Sequence, residues 1–247
     1  MNKKILSLLI VATVFLASCG NKTEKSESNL QTDSVTQTIN TEGNLYDKAG
    51  IIKVKDPLAS LVGYRKTGED FFEISLDDIG KYSGHVCAGI ASSFLLTKQA
   101  LEMLYPNGEI PVRGQIRVAG QSGGEQLDIA SYITGARAFY GRQEINSNDL
   151  IIDKSLQGEK KTFTLIFKRK DNGKMVKAVF SKKKLFEPKM MKVMIPLKEK
   201  VENGTATNDE KKLFAEKVQV VVKKAITNMP EGAITISECT EYIFPEK

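Results

Sequence analysis

A single histidine, His85, and only three cysteines occur in the 247 residues. One imidazole with no second base partner of the usual kind excludes a nucleophile triad. No two cysteines stand close together, which excludes a CxxC redox pair and a zinc ribbon. No apolar run is long enough to span a bilayer stably; residues 5–16 make up about a dozen, against roughly 20 needed. There is no internal repeat and no nucleic-acid recognition motif. The net charge of +6 therefore reads as solvated surface rather than a nucleic-acid face. Lys160-Lys161, Lys168-Arg169-Lys170 and Lys182-Lys183-Lys184 are its main clusters, expected on the faces and turn of a hairpin.

The start of the chain is informative. Lys3 and Lys4 precede the apolar run, which ends in Leu16-Ala17-Ser18-Cys19. This is the form of a secretory signal, here resembling a bacterial lipobox in which the cysteine is acylated and becomes residue one. Several acyl chains on Cys19 would anchor the protein firmly to a membrane. The expected organisation is a lipoprotein signal peptide over 1–18, lipidated Cys19 with a flexible tether over 19–43, and a folded domain over 44–247. The tether is rich in Ser, Thr, Asn, Gln, Lys and Glu and too polar to order itself. Gly20 and Asn21 follow the cysteine with no Asp at the second position. By resemblance to lipoprotein sorting, that implies the outer membrane of a two-membrane bacterium.

Within the domain, residues 73–79 are expected to form a short helix or turn. Cys87, Ile90, Ala91, Phe94, Leu95, Leu101 and Leu104 recur at helical spacing, giving a helix with one apolar stripe, stopped by Pro106-Asn107-Gly108. Val112, Ile116 and Val118 suggest a strand. A Gly-rich loop, 121–124, opens a second helix from Glu125 to Ile133, ended by Gly135. Alternating residues 163–167 and 176–180 flank Asp171-Asn172-Gly173-Lys174, a hairpin. Thr207 to Glu210 is a capping box before a long helix to about Thr227. Residues 233–244 read as a final strand carrying Cys239. Helices and strands do not alternate regularly, so the fold class is α+β, an antiparallel or mixed sheet packed with helices.

The chemistry concentrates in Gly84-His85-Val86-Cys87-Ala88-Gly89. Cys87 is expected in the first turn of its helix, where unpaired backbone N–H groups favour an anion. His85 lies just before, so imidazole and thiolate, both zinc-type ligands, reach one point. Glu125 and Asp128 share a face at the start of the second helix, where a carboxylate could complete the set. Plainer readings stand beside this one. His85 could cap the helix, Cys87 could be core or bridge to Cys239, and the two acids could answer the helix dipole alone.

The same residues, followed by a helix ending in Ala100-Leu101-Glu102, resemble the family of formylmethanofuran dehydrogenase subunits that carry a GHxCPG motif. Glu125-Gln126-Leu127-Asp128 takes the place of that family's Cys-x-x-Asp, and Thr134-Gly135-Ala136 that of its Thr-Gly-Cys. The resemblance spans about residues 75–185. It implies an α+β domain, often a homodimer, with His85 and Cys87 as metal ligands and Asp128 at the site. Ala88 replaces the motif proline, while Glu125 and Ala136 replace two cysteines. Fewer thiolates and one more carboxylate favour zinc or a similar divalent ion over sulfur-rich redox metals.

Three functions follow. The first is a lipid-anchored envelope protein that binds a divalent metal, or a metal-containing ligand, through His85, Cys87 and Glu125. The second is a metal-dependent hydrolase of a small polar substrate, using a metal-bound water with Glu125 or Asp128 as general base. The third is a non-catalytic envelope interaction module. Arg113, Arg117 and Gln121 are candidates for lining a pocket.

Overall fold

The computed structural model of the chain describes residues 44–138 and 148–245. The expected signal peptide, Cys19 and the tether lie in residues 1–43, outside the described residues.

A 3-10 turn, Leu45–Ala49, leads into β1 (Ile51–Lys55), which pairs antiparallel with β2 (Phe71–Ser75). Period-two alternation buries Ile52, Val54 and Ile74 and leaves Lys53 and Glu73 outside, paired at 3.0 Å. A short helix, α1 (Leu58–Leu61), starts the connection between the strands. Ser75 ends β2 and caps α2 (Leu76–Ser83), exchanging hydrogen bonds with Asp78 in a capping box. The expected helix or turn over 73–79 is thus divided at Ser75. Ile74 belongs to the buried row of the hairpin, and the Ser75 and Asp78 side chains start the helix.

The main sheet contains β3 (Ile116–Gly120), β4 (Leu150–Ile152), β5 (Thr162–Arg169), β6 (Met175–Ser181) and β7 (Ile234–Glu238). Their order is β4-β3-β5-β6-β7, with only β3 and β4 parallel. The β5–β6 hairpin forms as expected, Leu165 opposite Ala178 and Phe167 opposite Val176. Val112 lies outside β3 and makes only an isolated bridge with Lys55. Around the sheet are α3 (Ala88–Leu104), α4 (Glu125–Thr134), α5 (Lys182–Leu185), α6 (Pro188–Glu202) and α7 (Asn208–Thr227). This is the α+β class, with a mixed sheet. Among the described residues no helix is long and apolar enough to cross a membrane.

Helix α3 is the centre of the body. It packs against β5 and β6 on one side and against α2, α4 and α7 elsewhere. The expected stripe is buried at Ile90, Ala91, Phe94, Leu101 and Leu104, but Ser92, Ser93, Leu96, Thr97 and Ala100 are buried too. A helix covered on several sides needs small and hydroxyl side chains where neighbours come close. Ser93 Oγ answers this by donating to Gly89 O at 2.7 Å.

The other face of the sheet carries a smaller cluster around Ala119, Ile166 and Phe244, with Tyr242 and Cys239 against it. The expected strand over 233–244 is shorter, ending at Glu238 before Cys239. The chain leaves the sheet because Phe244 is needed on this face, where it meets Tyr242 edge-on at 5.0 Å. Arg117 stacks over the Phe244 ring at 4.7 Å and donates to Pro245 O at 2.8 Å.

Lys168-Arg169-Lys170 departs from the reading as solvated surface. Lys170 Nζ lies 2.5 Å from the buried Asp149 carboxylate, and Arg117 approaches the same group at 3.9 Å. Arg169 stacks on the Tyr105 ring at 4.1 Å and pairs with Asp171 at 2.5 Å and with Glu109. Arg169 and Lys174 also donate to Leu104 O and Met103 O at 3.4 and 3.2 Å, placing two cations on the negative end of α3.

Asp149→Ala removes the buried carboxylate that Lys170 and Arg117 approach, and losing a hydrogen bond between charged groups should cost about 1.5–3 kcal/mol. Urea unfolding of the variant checks this. Burial pushes the Tyr105 phenol up to about 12. Its folded value lies above the unfolded one, near 10. The stabilising contribution of the neutral phenol is therefore complete below about pH 10 and fades as pH rises toward 12. Alkaline unfolding should be shallower between those limits in Tyr105→Phe, as circular dichroism would report.

Candidate metal centre

The loop from α2 to α3 is fixed at each residue. Gly84 ends α2 in the left-handed region at φ 76°, where a Cβ would be strained. Val86 packs against the core and onto Gly80, whose missing Cβ makes room for it; one there would lie 2.8 Å from Val86 Cγ2. Gln219 of α7 donates to Val86 O at 3.5 Å. Val86 and Cys87 are both half-buried against the core, while His85 between Gly84 and Val86 is exposed.

Cys87 stands one residue earlier than expected, at the N-cap of α3, where its carbonyl accepts the first helical bond from Ala91 N–H at 3.0 Å. A side chain here would ordinarily turn back to cap the helix. Sγ makes no such bond. Cys87 and Cys239 are both free. Cys87 packs against the main core and Cys239 against the cluster on the opposite sheet face, so the alternative of a bridge between them is not realised.

Glu125 opens α4, directly after Gly124 at φ 117°. Its carboxylate turns toward the start of α3. One ligand atom each from His85, Cys87 and Glu125 lies within 4.8 Å of the other two. Gly89 explains how the helices approach this closely. A Cβ there would overlap Glu125 Oε2 and lie 3.5 Å from Cys87 Sγ. The glycine is a cradle for the carboxylate, in the first turn of a helix where glycine is otherwise unfavourable.

His85 Nδ1 lies 3.2 Å from Ser83 O. A carbonyl only accepts, so Nδ1 carries the proton and Nε2 keeps the free lone pair. A backbone carbonyl on the other ring nitrogen is the usual way a ligating histidine is oriented. Among the described residues, no lysine or arginine engages Cys87 Sγ or the Glu125 carboxylate. Among the described residues, two potential anions and one imidazole thus share a small space without a protein cation. The donor set, one N, one S and one O, suits a divalent ion of the zinc type.

Asp128, read from sequence as a site residue and candidate general base, is exposed further along the first turn of α4 and is not one of the three. The candidate pocket residues are engaged elsewhere. Arg113 donates to Tyr132 O at 3.0 Å, and Arg117 lies under the C-terminal tail. Gln121 is zipped to β5, donating to Thr162 O and accepting from Thr164 N–H, both at 3.0 Å. Sequence reasoning missed Gly89, Ser83 and Gln219. A glycine two residues after a cysteine, inside a helix start, was the one signal available.

No protein-family model and no curated protein matches the chain.

Gly89→Ala separates the site from the fold. It should gain about 0.5–1 kcal/mol of helix propensity. It also displaces the Glu125 carboxylate and should weaken divalent-metal affinity by roughly 10–100-fold. Thermal unfolding and competitive chelator titration would read the two effects separately.

Proposed function

We propose that this chain is a cell-envelope protein, lipid-anchored through Cys19, that holds a divalent metal ion, zinc by its donor set, at His85, Cys87 and Glu125. The observation that carries the metal reading is Gly89. The start of α3 lacks the one atom that would keep Glu125 away from Cys87. No cation among the described residues pairs with the carboxylate or the thiol, and a divalent ion is the group that would stabilise them together. The lipid anchor is supported by the residues leading to Cys19 and by the polar segment after it. The resemblance to the GHxCPG-bearing formylmethanofuran dehydrogenase family agrees with the reading at His85, Cys87 and Gly89 and departs from it at Glu125.

Three protein ligands leave a fourth position for water or a ligand. When bound, the ion would supply Lewis acidity at the protein surface. The residues themselves position it. Ser83 O orients the His85 ring, the N-cap position leaves Cys87 Sγ uncommitted to the helix, and α4 delivers Glu125. Binding or carrying a metal suits this arrangement better than hydrolysis. Glu125 is not free to serve as base while it ligates, and Asp128 is outside the trio.

Chain purified from Gly20 onward, reconstituted with zinc and desalted, should carry about one ion per chain by elemental mass spectrometry. His85→Ala and Cys87→Ser should each lose most of it. Metal content unchanged in both variants would sink the assignment.

A further inference from the structure

Residues 61–69, between α1 and β2, are exposed without exception. At the tip Leu61 is 77%, Val62 67% and Tyr64 70% exposed. The segment is nevertheless well ordered by its own backbone. Val62 N–H donates to Leu58 O at 3.0 Å, Gly63 N–H to Ser60 O at 3.1 Å and Arg65 N–H to Ala59 O at 2.9 Å. Asp56 N–H closes the base on Asp70 O at 2.7 Å. A hydrogen-bonded knuckle therefore holds three large apolar side chains within four residues of sequence exposed to water, where scattered single ones would need no explanation.

The polar residues at the tip narrow the choice of occupant. The Arg65 guanidinium sits over the Tyr64 and Phe72 rings at 5.5 and 4.9 Å, and Lys66 beside it is exposed. An aliphatic tip, an aromatic ring with a polar end and two adjacent cations are the elements of a segment at a water–lipid boundary. The connectivity agrees. The chain enters the described body at Asn44 and reaches the base of the knuckle through β1. Only 24 residues separate Cys19 from Asn44, few enough to keep the body near the surface to which Cys19 would be fixed.

We propose that residues 61–69 dock reversibly on a lipid bilayer. Leu61, Val62 and Tyr64 enter the acyl boundary, and Arg65 and Lys66 meet anionic phospholipid headgroups. Docking rests on the envelope location and the Cys19 anchor proposed above, but not on the metal. It would give the domain one preferred face toward the membrane instead of free rotation on its tether.

The chain from Gly20 onward cannot be acylated at Cys19 and so reports the knuckle alone. It is floated with vesicles of phosphatidylethanolamine and phosphatidylglycerol, and bound metal is measured in the same samples. The protein should rise with the vesicles, and the triple variant Leu61→Ser, Val62→Ser, Tyr64→Ser should lower the bound fraction about tenfold or more, with circular dichroism and metal content unchanged. Wild-type protein that stays in the buffer overturns the proposal, as does a variant that floats equally well. A wild-type dimer in sedimentation that the variant converts to monomer also overturns it, assigning the face to a second copy. Flotation lost with metal retained confines the failure to the knuckle, while flotation retained without metal leaves only the metal reading overturned.

Discussion

Helix α3 is enclosed on several sides, and its two ends meet opposite chemistries. A buried helix still has unpaired carbonyls at one terminus and unpaired N–H groups at the other. At the carbonyl end the β5–β6 hairpin supplies Arg169 and Lys174. At the N–H end stand Cys87 and, across from it, Glu125. The polarity of the site is thus continuous with the polarity of the helix. Because α3 also contacts the sheet, α2, α4 and α7, its position determines where every other site residue falls. Enclosure has a cost: Ser92 Oγ and Thr97 Oγ1 are buried without a hydrogen-bond partner among the described residues.

Absent side chains shape the site as much as present ones. Gly80 admits Val86, which sets the path of the loop, and Gly89 admits the Glu125 carboxylate. Both are helical residues at which alanine would serve the helix better. Their common effect is to let a second group approach the backbone. One consequence is that the ligands depend on two packing contacts remote in character from metal chemistry, an aliphatic one at Gly80 and a steric one at Gly89.

Much of the fold was legible from sequence. Periodicity and caps revealed α3, α4 and α7, and the turn at 171–174 revealed β5 and β6. Helix α6 escaped because Pro196 lies within it and reads as a breaker. The β1–β2 pair escaped because its register depends on a partner beyond a long connection. His85, Cys87 and Glu125 were legible as candidates because their donor atoms are rare or placed at helix starts. Sequence reading put Glu125 with His85 and Cys87 and kept Asp128, three residues on along the same helical face, as a second candidate base. That distinction arises from how α4 meets α3, through Gly89, which no local pattern encodes.

The outer face of the main sheet is closed by the last described residues. Arg117 lies 128 positions before the carbonyl it bonds at Pro245. Phe244, Tyr242 and the edge strand β7 all come from this final stretch. Ala119 and Ile166 therefore stay uncovered until residues 242–245 have come into place. Such late closure raises the mean sequence separation of native contacts and slows folding.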